Sequence, residues 1–99
     1  MHSIKIHRSY RSVIAICDLD LLGKRFEEGI RQLDIRENFY KDKEISTEDL
    51  IKLMQRQQKE DASFNIAGPK SVQAAIDSGI VSEDAIGKVD NVPFALTLV

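Results

Sequence analysis

The chain has 99 residues, 42% of them apolar and 30% charged, with a formal net charge of −2. That length sets an expectation of one domain with a thin core, and the near-neutral balance supplies no chain-wide field to draw it to nucleic acid or an anionic membrane. The lone cysteine, Cys17, excludes an internal disulfide and a cysteine-built zinc site, and no apolar run approaches the roughly 20 residues that span a bilayer; with no apolar leader at the start, the expected location is cytoplasmic.

Ile4 and Ile6 alternate with Ser3, Lys5 and His7, the period-two pattern of a half-buried strand. Arg8 to Arg11 reads as a polar hairpin loop, and Ser12 to Cys17 as a continuous apolar strand covered on both faces. A four-residue loop sets Ile6 opposite Val13, Ile4 opposite Ala15 and His2 opposite Cys17. Asp18 or Asp20 then caps a short helical piece from Leu21 to Glu28, with Leu22 and Phe26 one turn apart and Gly29 as the stop. Ile30, Leu33 and Ile35 suggest a further β region, and Asn38 to Lys43 a loop.

Ser46 with Asp49 approximates a capping box, so the spacing predicts a helix from Thr47 to about Asp61 whose buried face holds Leu50, Leu53, Met54 and Gln57. Ser63 to Ala67 reads as a strand running into Gly68-Pro69. Pro69 suits the first position of a helix buried through Val72, Ala75 and Ile76 and stopped by Gly79. Ser82 caps a last turn through Ile86, and Val92 to Leu98 closes the chain as a strand with Pro93 near its start. Together these elements describe an α/β fold, more narrowly α+β: one small domain over residues 1–99, with an N-terminal β-hairpin and a mixed sheet carrying two main helices.

Several residues invite a chemical reading beside a plainer one. The apolar strand ending in Asp18-Leu19-Asp20 is similar to the first motif of the haloacid-dehalogenase-like phosphatases, which implies Asp18 as nucleophile, Asp20 as acid/base and Mg²⁺ on the phosphate. Leu22 departs from the Thr or Val of that pattern, the chain is short for that fold, and turn-starting carboxylates explain the same letters. Cys17 as a nucleophile needs a depressed pKa, which Asp18 opposes; a buried apolar filler is the alternative. From Met1 to Arg11 the charged residues are Lys5, Arg8 and Arg11, with no carboxylate. Lys24 and Arg25 add cations at a turn without P-loop glycine spacing. Tyr40 and Lys41, after Phe39, set aromatics beside a cation, as single-strand nucleic-acid binders do. The Asn65 to Gly68 turn, leading into a helix N-terminus, offers backbone donors to an anion or an acidic side chain.

Read as a series, Lys5-Ile6-His7, Val13 to Asp18, Leu22-Gly23-Lys24, Phe26 to Gly29, Phe39-Tyr40-Lys41, Asn65 to Gly68, Ser71-Val72, Ala75-Ile76, Gly79 and Val92-Pro93 resemble the archaeal DUF424 family along nearly the whole chain. The resemblance implies a compact cytosolic α/β domain linked to the archaeal translation apparatus, and brings no catalytic residues or cofactor. Phe94 stands where the family pattern expects a His, and Asp42 where it expects a Gly.

Three function classes follow. A binding or accessory protein would engage RNA or a translation-apparatus protein through Lys5, Arg8, Arg11, Lys24, Arg25, Tyr40, Lys41 and the Asn65 to Gly68 turn, without a cofactor or membrane. A Mg²⁺-dependent phosphohydrolase would use Asp18 and Asp20. A self-associating structural module would form a dimer through the apolar C-terminal strand, Phe94 to Val99.

Overall fold

In the computed structural model, which describes residues 1–97, the first two strands form the expected hairpin: β1 (His2–His7) lies antiparallel to β2 (Val13–Asp18). Its register differs by one residue from the expectation. Ser12 belongs to the loop, so Ile6 faces Ile14, Ile4 faces Ile16 and His2 faces Asp18. Because side chains alternate along a strand, that single step changes which residues share a face. Ile4, Ile6, Ile14 and Ile16 point to one side of the sheet; Ser3, Lys5, His7, Ala15 and Cys17 point to the other.

The stretch expected to be a helix over Leu21–Glu28 is instead a second hairpin. A single 3₁₀ turn at Leu19–Leu21 leads to β3 (Arg25–Glu28), which returns through Gly29-Ile30 as β4 (Arg31–Asp34). Leu22 and Phe26 have helical spacing, but Phe26 sits opposite Leu33 and both pack on the same small core as Leu22. One apolar residue per strand is enough when the sheet supplies the other wall. The predicted loop over Asn38–Lys43 contains a one-turn helix, α1 (Glu37–Tyr40), and the start of β5 (Lys43–Ile45).

The longer elements follow their local signals. Ser46 accepts the Asp49 N–H at 3.2 Å and caps α2 (Thr47–Lys59), which buries Leu50 and Met54. Chain reversal leads to β6 (Ser63–Ala67), then to α3 (Pro69–Ser78), which starts on Pro69 and ends at Gly79 in the left-handed region. Beyond the expected turn at Glu83–Ala85, β7 (Gly87–Val89) was not anticipated. It pairs with β8 (Val92–Thr97) across a tight Asp90-Asn91 turn in which both residues have positive φ. Leu98, expected to extend β8, and Val99, the end of the proposed self-association segment, lie outside the described residues.

The result is an α+β fold built on a mixed six-stranded sheet of order β5-β1-β2-β6-β8-β7. Only β2 and β6 run parallel, joined by a crossover that includes α2. One sheet face carries Ile4, Ile14, Ile16, Phe64 and Ile66 beneath α2 and α3. The other carries Ala15, Cys17 and Ala67 beneath α1 and the β3–β4 hairpin. No helix among the described residues is long and apolar enough to cross a membrane.

Candidate functional site

The carboxyl ends of the parallel pair β2–β6 are where an open α/β sheet places its ligands, and Asp18 and Gly68 meet there. Asp18 is 2% exposed. Its Oδ1 accepts the Ser71 N–H at 2.7 Å and its Oδ2 the Lys70 N–H at 3.1 Å. These N–H groups belong to the first turn of α3, where they lack partners within the helix and carry the positive end of its dipole. Asp18 therefore does cap a helix, but α3 on the neighbouring strand and not the turn that follows it, where it makes no capping bond.

The acidic side chain held by the Asn65–Gly68 turn and α3 is thus the chain's own. Gly68 makes this approach possible: with φ at +106°, a Cβ there would stand 2.5 Å from Asp18 Cγ. Only glycine combines that backbone conformation with that contact. Asn65 lies half-buried in β6, opposite Leu96.

Beside Asp18, a cluster forms that the sequence did not reveal. His2 is completely buried; its Nδ1 lies 2.7 Å from Ser71 Oγ and its Nε2 2.7 Å from Thr47 Oγ1. A neutral imidazole donates through one nitrogen and accepts through the other, and a hydroxyl can serve in either role. Burial, followed by the N-terminal amino group, holds the His2 ring below its ordinary value; Asp18 pulls it upward, and Lys70 adds to the lowering. His2 thereby ties β1 to the first turns of both α2 and α3. A buried Ser–His pair with its second nitrogen committed to Thr47 does structural work, since no substrate reaches a fully enclosed Ser71.

The remaining candidates for chemistry are placed apart. Cys17 is fully buried and faces Ser3, not His2. Burial, reinforced by Asp18 and Asp20, pushes its thiol up to about 12, opposite to what a nucleophile needs. Asp20 sits exposed in the 3₁₀ turn while Asp18 is turned into the fold. Among the described residues, no three His, Cys, Asp or Glu side chains come together in an arrangement suited to a metal ion.

The basic candidates divide into two groups. On β1, three successive side chains of one face reach α1. Ser3 Oγ donates to Tyr40 O at 2.8 Å, Lys5 Nζ to Asn38 O at 2.7 Å, and His7 Nε2 to Phe39 O at 2.8 Å. These are carbonyls that so short a helix leaves unpaired, and a cation is favoured at that end. The His7 ring stacks on Phe39 with centroids 4.5 Å apart, and Phe39 meets Tyr40 edge-on at 5.1 Å. Tyr40 is the buried anchor of this trio, its phenol pushed up to about 12 chiefly by burial; Phe39 and His7 remain half-exposed.

The adjoining β1–β2 loop presents Arg8, Arg11 and a 98% exposed Tyr10 above a shallow groove of about 620 Å³, whose far side is Gln57, Glu60 and Asp61. The second basic group, Lys24 and Arg25, lies on the β3–β4 hairpin among carboxylates: Arg25 pairs with Glu27 at 2.9 Å and Arg36 with Asp34 at 2.9 Å. Lys41 is 3.8 Å from Glu37. The fold therefore sets Lys5 beside the aromatic stack, Arg8 and Arg11 on the adjoining loop across the groove from Glu60 and Asp61, and Arg25 and Lys41 in ion pairs.

Residues 7–99 match the model of the family described as "Protein of unknown function (DUF424)", and the chain belongs to that family. It is also similar to a solved structure, "Crystal structure of an uncharacterized conserved protein from Methanopyrus kandleri". That similarity has a TM-score of 0.86 at 28% identity, covering 97% of this chain and 89% of that one. No curated protein matches this chain.

Proposed function

We propose that this chain is a binding protein for single-stranded RNA, acting as an accessory to the translation apparatus in the cytoplasm, with the exposed side of β1, its loop and α1 as the contact surface. The carrying observation is the half-exposed His7–Phe39 stack, flanked by Lys5 and followed in the chain by Arg8, Tyr10 and Arg11. Single strands are held by π surfaces on which bases stack and by cations that track the backbone, with little demand on sequence. Both parts occur here on one hairpin and the helix clamped to it. The alternative chemistry at Asp18 finds less support, because both carboxylate oxygens are already engaged by backbone donors.

A fluorescently labelled single-stranded oligouridylate, titrated at about 50 mM and about 200 mM salt, tests the proposal. Phosphate contacts by Lys5, Arg8 and Arg11 correspond to a slope of log K on log salt of about −2, or a loss of about 20-fold in affinity over that range. Arg8→Ala with Arg11→Ala should lower the slope magnitude to below about 1. Absence of binding at the lower salt, or binding that ignores salt, overturns the proposal.

A further inference from the structure

The pairing of β1 leaves a gap in the sheet edge. In an antiparallel ladder, residues alternate between directing both backbone groups to one neighbour and directing both to the other. The Leu19 N–H donates to Met1 O, which fixes the phase: Ser3, Lys5 and His7 turn their backbone groups toward β2, and His2, Ile4 and Ile6 turn theirs outward. On that outer side β5 pairs Ile45 with His2 and Lys43 with Ile4, and there the ladder ends. The residue that would continue it, Lys41, gives its N–H to Glu37 O at 2.8 Å in closing α1. Among the described residues, nothing pairs with the N–H and C=O of Ile6.

Ile6 also lines a notch of about 330 Å³ whose apolar walls are Ile4, Ile6, Ile45 and Leu53, with Arg8 and Lys43 as its cations and Asp42 and Glu44 as its acids. We infer that β1 accepts an extended peptide segment of a partner protein, added in line with β5. Its main chain would pair with Ile6, an apolar side chain would fill the notch, and a neighbouring carboxylate would meet Arg8. Three features select this occupant. An outward-facing N–H and C=O on one residue are matched by an extended main chain, as in strand addition at a free sheet edge. The notch has room for large aliphatic or aromatic side chains. Arg8 is exposed, has no carboxylate partner among the described residues, and lies where the added strand continues past Ile6. A second copy fits poorly: antiparallel pairing of two β1 edges about Ile6 would bring the Arg8 position of each chain against Ile4 of the other, where β5 already sits. Arg8 serves both this inference and RNA binding, but Leu53 and the outer edge of Ile6 belong to the peptide alone and the His7–Phe39 stack, on the opposite face of β1, to RNA alone, so the two can fail separately.

Amide exchange and peptide selection on the full chain test it. In the free protein the Ile6 amide should exchange at least about tenfold faster than those of Lys5 and His7, which pair with β2; equal protection of all three overturns the inference. A display library of random short peptides should yield binders that combine an apolar residue with a nearby Asp or Glu. They should slow Ile6 exchange at least about tenfold and lose at least about tenfold in affinity to Leu53→Lys. Against Arg8→Glu, an exposed-loop change that leaves the core intact, the selected acid should give way to Lys or Arg. Failure to enrich any peptide over the Leu53→Lys protein, or enriched peptides that leave Ile6 exchange unchanged, contradicts it.

Discussion

Replacing Asp18 by Asn changes one atom of a buried side chain and should be among the most damaging conservative substitutions in the protein. The carboxylate accepts two backbone N–H groups, at 2.7 and 3.1 Å, from the first turn of α3. A hydrogen bond to a charged group contributes about 1.5–3 kcal/mol, and a buried donor left without a partner costs about 1–3 kcal/mol. Asn keeps one acceptor, turns its NH₂ toward the second donor and removes the charge that meets the helix dipole. The expected loss is about 2–4 kcal/mol, a large share of the roughly 5–15 kcal/mol available to a small domain. Urea denaturation followed by circular dichroism measures it, and the slope of the transition should stay the same, because the exposed surface on unfolding is unchanged. A loss below about 0.5 kcal/mol, the range of ordinary surface substitutions, would refute the capping role and return Asp18 to the set of groups free for chemistry.

Other consequences can be checked in the same way. Gly68→Ala should destabilise by about 3 kcal/mol or more in a denaturant titration, combining an unfavourable positive φ with a contact inside van der Waals distance of Asp18. His2 has a folded-state pKa below its ordinary 6.5, so the unfolded chain binds its proton first as pH falls. Its contribution is therefore present above pH 6.5 and is lost below it, until the folded pKa is reached. Between those values stability should fall with decreasing pH by at most about 1.4 kcal/mol per unit from this group, and His2→Gln should remove that component in thermal melts across the range. Cys17 shifts the other way, from 9.0 to about 12: the unfolded chain loses its proton first, so stability should decline as pH rises above 9. The native thiol should resist alkylation at pH 8, and Cys17→Ala should flatten the alkaline decline; rapid native labelling contradicts the enclosed environment.

Where the fold was legible, the signals were local and redundant. Ser46 with Asp49, and Pro69 with Gly79, bracket two helices with residues whose backbone preferences act only at those positions. The β3–β4 hairpin is not legible from spacing alone, because Leu22 and Phe26 satisfy a helical spacing, and only the pairing of Phe26 with Leu33 across the hairpin decides against it. The one-residue shift in the first hairpin turned on whether Ser12 counts as loop or strand, which no pattern in the apolar run specifies. At the candidate site, the basic character of Lys5, Arg8 and Arg11 was visible, and so was an acidic side chain as an occupant of the Gly68 turn. Asp18 as that occupant was not, because it lies some fifty positions earlier and reaches α3 only through the parallel pairing of β2 with β6. His2 was the clearest omission. Its partners Thr47 and Ser71 are 45 and 69 residues away, and nothing near it in the chain signals burial.

The most direct measurement of the central claim is amide chemical-shift mapping of the protein titrated with single-stranded oligouridylate at low salt. The account predicts shifts concentrated at Lys5, His7, Arg8, Arg11 and Phe39, and about tenfold weaker binding by Phe39→Leu, which keeps an apolar side chain but removes the stacking ring. Shifts centred on Lys24 and Arg25, or none at all, would contradict it.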